Sequence, residues 1–451
     1  MSSSPTKSSH GEVNLKETST SVDEEKAPVT PSNESPSTDI NTAEEDRLVR
    51  KIDLHLLPIL FVLYMFTFLD RVNIGNAKIE GLTTELKMSG TQYNIASMIL
   101  FVPYIILEIP SNLLMKRIAP SAWLSGLMFG WGIITMCQGF VKSYAGLIVC
   151  RVLLGTFEAG VFPGLATLVV AAAGYFLIAD WPEDAKFLTS EEKELIAHRL
   201  ENDGHAAVAR MDTLDKPALK RIFSDWKIWV AVCIYICVTT TGYATNFFIP
   251  TILKEFGWTS ASAQVHTIPV YAVGAVLTLF CAWWSDRIQH RYAFTIGGIT
   301  LAVIGYIILL CQGHAGEKHN PIPVGVRYMS IFFITSGNYI AQPLAVVWLA
   351  NNMGGHYKRS FGAALQIGIG NVGGIIGSNI FLANQAPYYK TGYGTGMGLL
   401  IAGAVFCSIF YFGMMRENKI RDAGGRDGRL LLPEAELKNL GDDHPSFRYN
   451  G

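Results

Sequence analysis

Charge is what this sequence has least of. Lys, Arg, Asp and Glu make up only 16% of 451 residues, well below the ~25% usual for a soluble globular chain. The shortage is uneven: of 73 charged side chains, 17 lie in residues 1–53, 19 in 180–227 and 14 in 416–451. The other 314 residues carry 23, about 7%, which excludes an ordinary water-facing surface there and with it a soluble enzyme core. A long basic run is missing and the net charge is −1, so nucleic acid is not an expected partner. Cysteine is too scattered for a disulfide framework: the seven lie in or at the edges of apolar stretches, and Cys233 and Cys237, one turn apart, read as small apolar residues. His55, His266 and His356 are isolated, and no nucleophile stands beside a base. Neither a metal, a cofactor nor enzymatic chemistry is therefore expected. A cleavable leader is not expected either, since the first apolar run follows about fifty polar residues.

What fills the charge-poor region is hydrophobic sequence in pieces long enough to cross a bilayer, which takes ~20 mostly apolar residues as a helix. Ten stretches qualify, near 54–78, 94–115, 121–141, 145–178, 228–252, 267–284, 292–312, 325–349, 360–383 and 394–415. The expectation is an all-α polytopic membrane protein, with the lipid bilayer as its surroundings. It would be organised as a disordered tail (1–46), a first transmembrane bundle (47–179), a central loop (180–227), a six-helix second bundle (228–415) and a further hydrophilic tail (416–451). Basic residues set the orientation. With both ends in the cytoplasm, the inner loops hold Lys116 and Arg117, then Lys186 to Arg221, then Arg287 and Arg291, then Lys358 and Arg359. The outer loops hold mostly single lysines, so both termini and the central loop read as cytoplasmic. In that loop Thr189 and Glu192 have capping-box spacing and should start a short amphipathic helix.

The informative residues are the ionisable ones deep in spans, each costing a few kcal/mol at the bilayer centre unless paired or wet. Asp70 and Arg71 in span 1, Glu108 in span 2, and Arg151 and Glu158 in span 4 stand out, all in the first half. At 1.5 Å per residue, Arg71 lies roughly 25 Å from the inner end of its span and Arg151 roughly 9 Å below the outer end of its own. Glu158 falls two turns farther inward on the face of Arg151, and Glu108 about 12 Å above Arg117. Two guanidinium groups in the outer part would hold an anionic head group bidentately. Carboxyls in the inner half, with pKa values raised by burial, would carry protons. The second half supplies uncharged polar groups instead: Tyr243, Asn246, Asn338, Tyr339, Gln342, Asn351, Gln366, Asn371 and Asn379. Of these, Tyr243, Asn246, Asn338, Gln342 and Asn371 are the candidate substrate contacts. Gly368, Gly370, Gly373, Gly374 and Gly377 place small residues at one-turn spacing, which lets helices approach closely.

Three motifs make a resemblance visible: Phe68-Leu-Asp-Arg-Val-Asn-Ile-Gly-Asn-Ala77, Glu108-Ile-Pro-Ser-Asn112, and Arg151-Val-Leu-Leu-Gly-Thr-Phe-Glu-Ala-Gly-Val-Phe-Pro-Gly164. With Trp284-Ser-Asp-Arg287, Arg291 and Asn352-Met-Gly-Gly-His-Tyr-Lys-Arg-Ser360, the chain closely resembles the anion:cation symporter family of the major facilitator superfamily. It looks most like the fungal allantoate and nicotinate permease branch. The resemblance implies two pseudo-symmetric helical bundles with alternating access around a midplane site. It also implies proton-driven uptake of a small organic anion by a plasma-membrane protein, taken as a monomer. Arg71 and Arg151 match the family's anion-binding arginines, Asp70, Glu108 and Glu158 are the proton-coupling candidates, and Asp286, Arg287 and Arg291 match the cytoplasmic loop motif that gates the bundles. The family's helix 2 histidine has no counterpart, Ser97 standing in its place.

A larger departure concerns length. Family members have about sixty residues between the Pro-Gly motif of helix 4 and the Asp-Trp-Pro-Glu motif closing helix 6; here Pro163-Gly164 is followed almost directly by Asp180-Trp-Pro-Glu183. Family helix 5 and most of helix 6 are expected to be missing, leaving about ten spans instead of twelve and a shortened first bundle. A non-transporting sensor, regulatory or inactive member of the same family is the alternative this raises.

Overall fold

The computed structural model describes residues 73–89, 91–115, 120–158, 216–312, 322–433 and 436–451 apart from 438, with a few further positions around Lys51 and Glu192. Residues 48–451 belong to one unit; of the other, Met1–Arg47, only Arg47 is described. The expected tail 1–46, the first half of span 1 and the stretch 159–188 therefore lie outside the described residues.

The first half contributes α1 (Gln92–Met98), α2 (Phe101–Met115), α3 (Pro120–Gly139) and α4 (Tyr144–Glu158). After a short amphipathic α5 (Lys216–Ser224) come α6 (Trp226–Glu255), α7 (Ser260–Ile288), α8 (Arg291–Leu310), α9 (Val324–Asn351), α10 (His356–Gly370), α11 (Val372–Gly377) and α12 (Lys390–Asp422). Among the described residues the second half holds six helices long and apolar enough to cross a membrane, counting α10 and α11 together. Helix is the form such runs must take, because in hydrocarbon every backbone N–H and C=O has to be satisfied within its own segment. Asp225 starts α6 by accepting a hydrogen bond from the Lys227 amide at 3.0 Å, so this helix begins inside what reads from sequence as the central loop. In that loop the Thr189–Glu192 capping box forms in both directions: Glu192 accepts from the Thr189 amide at 2.8 Å and Thr189 Oγ1 from the Glu192 amide at 3.3 Å. Glu192 also pairs with Lys51 at 2.7 Å.

Helix α6 is the axis of the second half. Every residue from Cys237 to Pro250 is buried, and α9, α10, α11 and α12 pack around it. The opposite pattern holds on α7 and α12, where Val265, Ile268, Val276, Leu279, Ile401, Val405, Ile409 and Phe412 are exposed. Bands of exposed aliphatic residues of this kind suit contact with lipid chains rather than water. The glycine-rich span is broken in the middle, where Asn371 ends α10 and precedes α11. The break is tolerated because Thr239 on α6 donates to the Gly370 carbonyl at 2.9 Å and because α6 lies so close: a Cβ on Gly373 would overlap the Thr239 hydroxyl and Thr240 backbone.

The last residues are not a loose tail. Helix α12 runs seven residues past the apolar stretch ending at 415, to Asp422, and the chain then folds back over the Lys227 end of the second half. The Arg421 guanidinium donates to the carbonyls of Asp442, His444 and Phe447 at 2.9, 3.2 and 2.9 Å. Phe447 and Tyr449 are buried, and Asp442 is fully so. Its carboxylate meets Lys358 at 2.7 Å and Lys227 at 3.1 Å, while Asp225 meets the same two lysines at 2.7 and 2.9 Å. Two buried lysines and two buried aspartates thus form a neutral cluster, the arrangement in which buried charge is tolerated.

Candidate substrate and gating site

Arg151 sits on α4 and is 1% exposed. Its helix packs on α2 and also on α1, which carries Tyr93. Tyr93 in turn reaches the second half, with its ring edge-on to Phe248 at 6.1 Å and its hydroxyl 3.5 Å from the Phe247 carbonyl. Ser97, in the place of the family's histidine, is buried one turn away and donates to the Tyr93 carbonyl at 3.0 Å. The helix of Arg151 therefore lies beside the contact between the halves.

A second link runs through Phe101, whose ring is 4.7 Å from that of Tyr243 and 6.3 Å from that of Phe247. Phe101 also fills the space a side chain at Gly374 would need, so only glycine admits the ring there. Tyr243 donates to Asn371 Oδ1 at 2.8 Å, which places a phenol and an amide at the break between α10 and α11. Of the five candidate contacts in the second half, these two are brought together directly. Asn246 accepts from Tyr339 at 3.1 Å, and Gln342 donates to Tyr235 at 3.3 Å. Asn338 differs, being buried between α6 and α9 with Oδ1 accepting from Thr241 at 2.8 Å. Its Nδ2 has no hydrogen-bond partner among the described residues. The hydrogen bond from Thr241 ties α9 to α6.

The other first-half candidates are only partly placed. Asp70 and Arg71 lie outside the described residues, while Glu108 is within α2 and Glu158 is the last residue of α4, their side chains not among those described. In the loop motif, Asp286 and Arg291 form an ion pair at 2.6 Å. Arg287 is not part of that pair, its guanidinium standing 5.9 Å from the Trp283 ring.

One residue that sequence reasoning passed over is Lys78. Its Nζ stands 4.3 Å from the centre of the Tyr93 ring and 4.7 Å from that of Phe248, bridging the halves by cation–π contact. Around it Ser260 donates to the Ile79 carbonyl at 3.0 Å and Gln264 to Glu80 at 2.8 Å. Among the described residues the halves thus meet at the Lys254 end of α6, around its middle, and where α2 packs on α10. The only signal for this in the sequence is a lysine at the edge of a span, and its aromatic partners are separated from it by 15 and 170 residues.

Comparison with known proteins places this geometry in a family. A sequence model of the Major Facilitator Superfamily matches residues 60–175 and 164–378. An uncharacterized transporter of Schizosaccharomyces pombe is 31% identical over 91% of this chain and 91% of its own length. The high-affinity nicotinic acid transporter of Saccharomyces cerevisiae is 27% identical over 90% of this chain and 85% of its own. Among solved structures, a bacterial homolog of the human lysosomal transporter Spinster superposes with a TM-score of 0.53 at 14% identity, covering 79% of this chain and 95% of that one. The alignment with the first relative spans 468 positions, yet 91% of 451 residues is about 410, so about 58 positions have no residue in this chain. The superfamily consists of transporters rather than enzymes, and its members move small molecules across membranes through bundles of apolar helices. On the extent of the match and on its relatives, this chain is a multi-pass integral membrane protein that belongs to the Major Facilitator Superfamily.

Proposed function

We infer that the chain imports a small organic anion together with protons, by alternating access, as a monomer in the plasma membrane with both ends in the cytoplasm. The observation that carries this reading is Arg151: a guanidinium 1% exposed among apolar helices, on a helix that packs against α1, whose Tyr93 reaches the second half. Such a group is costly in a bilayer and characteristic of a site that receives an anion. Arg71 and Arg151 hold the carboxylate, Glu158, Glu108 and Asp70 carry protons, and Tyr243, Asn371, Asn246, Gln342 and Asn338 shape the facing wall. Asp286, Arg287 and Arg291 gate the cytoplasmic end. The motifs point to the anion:cation symporter family and its allantoate and nicotinate branch, and one relative takes nicotinic acid, itself a carboxylic acid. With the Lys254 end of α6 facing outward, the Lys78 and Phe101 contacts close the outer path.

Uptake of labelled vitamin carboxylates and ureido acids by cells expressing the chain tests the reading. Arg151→Lys abolishes uptake at equal surface expression, because an ammonium cannot reproduce the two-pronged contact. Glu158→Gln abolishes proton-driven uptake and spares exchange of substrate across the membrane. Unchanged behaviour of both variants would overturn the assignment.

A second reading, a non-transporting member of the family, is favoured by the roughly 58 alignment positions without a residue here and by the missing stretch between Gly164 and Asp180. Family helices 5 and 6 belong at that place, and the first bundle is then shortened. Uptake by a chain carrying a restored helix pair, set against none by this one, supports the second reading.

A further inference from the structure

We propose that Leu440–Gly451 is a latch that docks across the Lys227 end of the second half and sets the state of the turn between α7 and α8, which the Asp286–Arg291 pair spans. The segment has almost no regular structure of its own, only a single 3-10 turn at Gly441–Asp443, and is held like a bound peptide. At one end its single buried carboxylate, Asp442, completes the neutral cluster with Lys227, Lys358 and Asp225 and also accepts from the Gly354 amide at 3.4 Å. Near the other end Tyr449 lays its ring over Lys227 and Arg421, at 5.1 and 4.7 Å, and exchanges hydrogen bonds with Asn418 at 2.8 and 2.9 Å. At the far end Asn450 is clasped by Asn352 and Trp348, and the Gly451 carbonyl accepts from the Arg291 amide at 2.6 Å.

Two consequences follow from this placement. Undocking leaves two buried ammonium groups facing one carboxylate, so the lysines at the start of α6 and α10 lose half of their counter-charge at once. It also removes the acceptor on the first amide of α8, the residue whose side chain pairs with Asp286. The charge cluster and the loop pair belong to different helices, and the segment touches both. Its flanking ion pairs, Arg448 with Asp422 and Arg221 with Glu436, are partly exposed and so hold it weakly. The inner anchors, Asp442, Phe447, Tyr449 and the carbonyls held by Arg421, lie within eight residues of each other, so the segment docks or is released as a unit.

The test is hydrogen–deuterium exchange on the full chain in lipid nanodiscs, which needs no transport substrate and is independent of the functional reading. Asp442→Asn perturbs one end, and Tyr449→Ala removes the ring near the other end, whose hydroxyl also donates to Asp442 at 3.1 Å, while keeping all four charges of the cluster. Either variant is expected to raise exchange about tenfold both at Gly354 and at Arg291, the amides that the two ends of the segment protect. Should Asp442→Asn fail to fold, Tyr449→Ala alone carries the test. Exchange that rises only next to the substituted residue, with Arg291 unchanged, would overturn the proposal.

Discussion

Lys358→Met is the substitution whose cost the structure fixes most closely. The ammonium is fully buried and touches Asp225 and Asp442 at 2.7 Å each. Methionine has nearly the same length and an apolar end, so packing changes little while two carboxylates are left with Lys227 alone. Breaking a buried ion pair from one side costs ~3–5 kcal/mol, because an uncompensated charge stays behind. At ~1.4 kcal/mol per factor of ten, the folded-to-unfolded ratio falls by about two to nearly four orders of magnitude. Adding Asp442→Asn restores neutrality, since Lys227 and Asp225 still pair at 2.9 Å. The double variant should then recover at least half of the loss. The assay is equilibrium unfolding in mixed detergent micelles followed by tryptophan fluorescence, with Trp226 and Trp348 as reporters of this end. Strict additivity of the two single variants, within ~0.5 kcal/mol, would refute the view that the four groups act as one neutral unit.

Other perturbations give distinct outcomes. Burial pushes the Asp442 carboxyl up, but Lys227 and Lys358 outweigh it and hold the group well below the usual carboxylate range. The stability it contributes is therefore fully present above the ordinary Asp value of about 3.9 and is lost as pH falls below that toward the depressed folded-state value; Asp442→Asn should flatten this acid limb in pH-dependent unfolding. Gly373→Val forces a branched side chain into the α6 contact and should destabilise by ~1–3 kcal/mol in the same unfolding assay. Tyr243→Phe leaves Asn371 Oδ1 without its donor, and binding of a substrate, measured by calorimetry, should weaken by about tenfold if that amide faces it.

Much of the second half was legible because its signal is local. Each of its crossing-length helices is an apolar run, and the break at Asn371 shows as a cluster of glycines. Arg151 was legible for the same reason, as a charge where charge is expensive. The last 36 residues were not, because 14 of them are charged and local composition reads such a stretch as solvated. Burial of Asp442 depends on lysines 84 and 215 residues away, and no window of sequence contains both partners. For Asn338 a polar group in a span is visible in the sequence, while its hydrogen bond to Thr241 on the facing helix is not. Asp286 and Arg291 were found as a motif, but the separation of Arg287 from them follows from which way each side chain leaves the turn.

The contact between the halves includes a cluster of rings, Phe101, Tyr243, Phe247, Tyr93 and Phe248, with Phe101 only 1% exposed. A closure of this kind has a thermal signature. Parting the halves wets apolar surface, and wetting apolar surface raises the heat capacity of the opened state. The equilibrium between closed and open forms then bends with temperature, closing most firmly near the temperature where the hydrophobic contribution peaks and loosening on cooling as well as on heating. A closure built from ion pairs would lack that curvature.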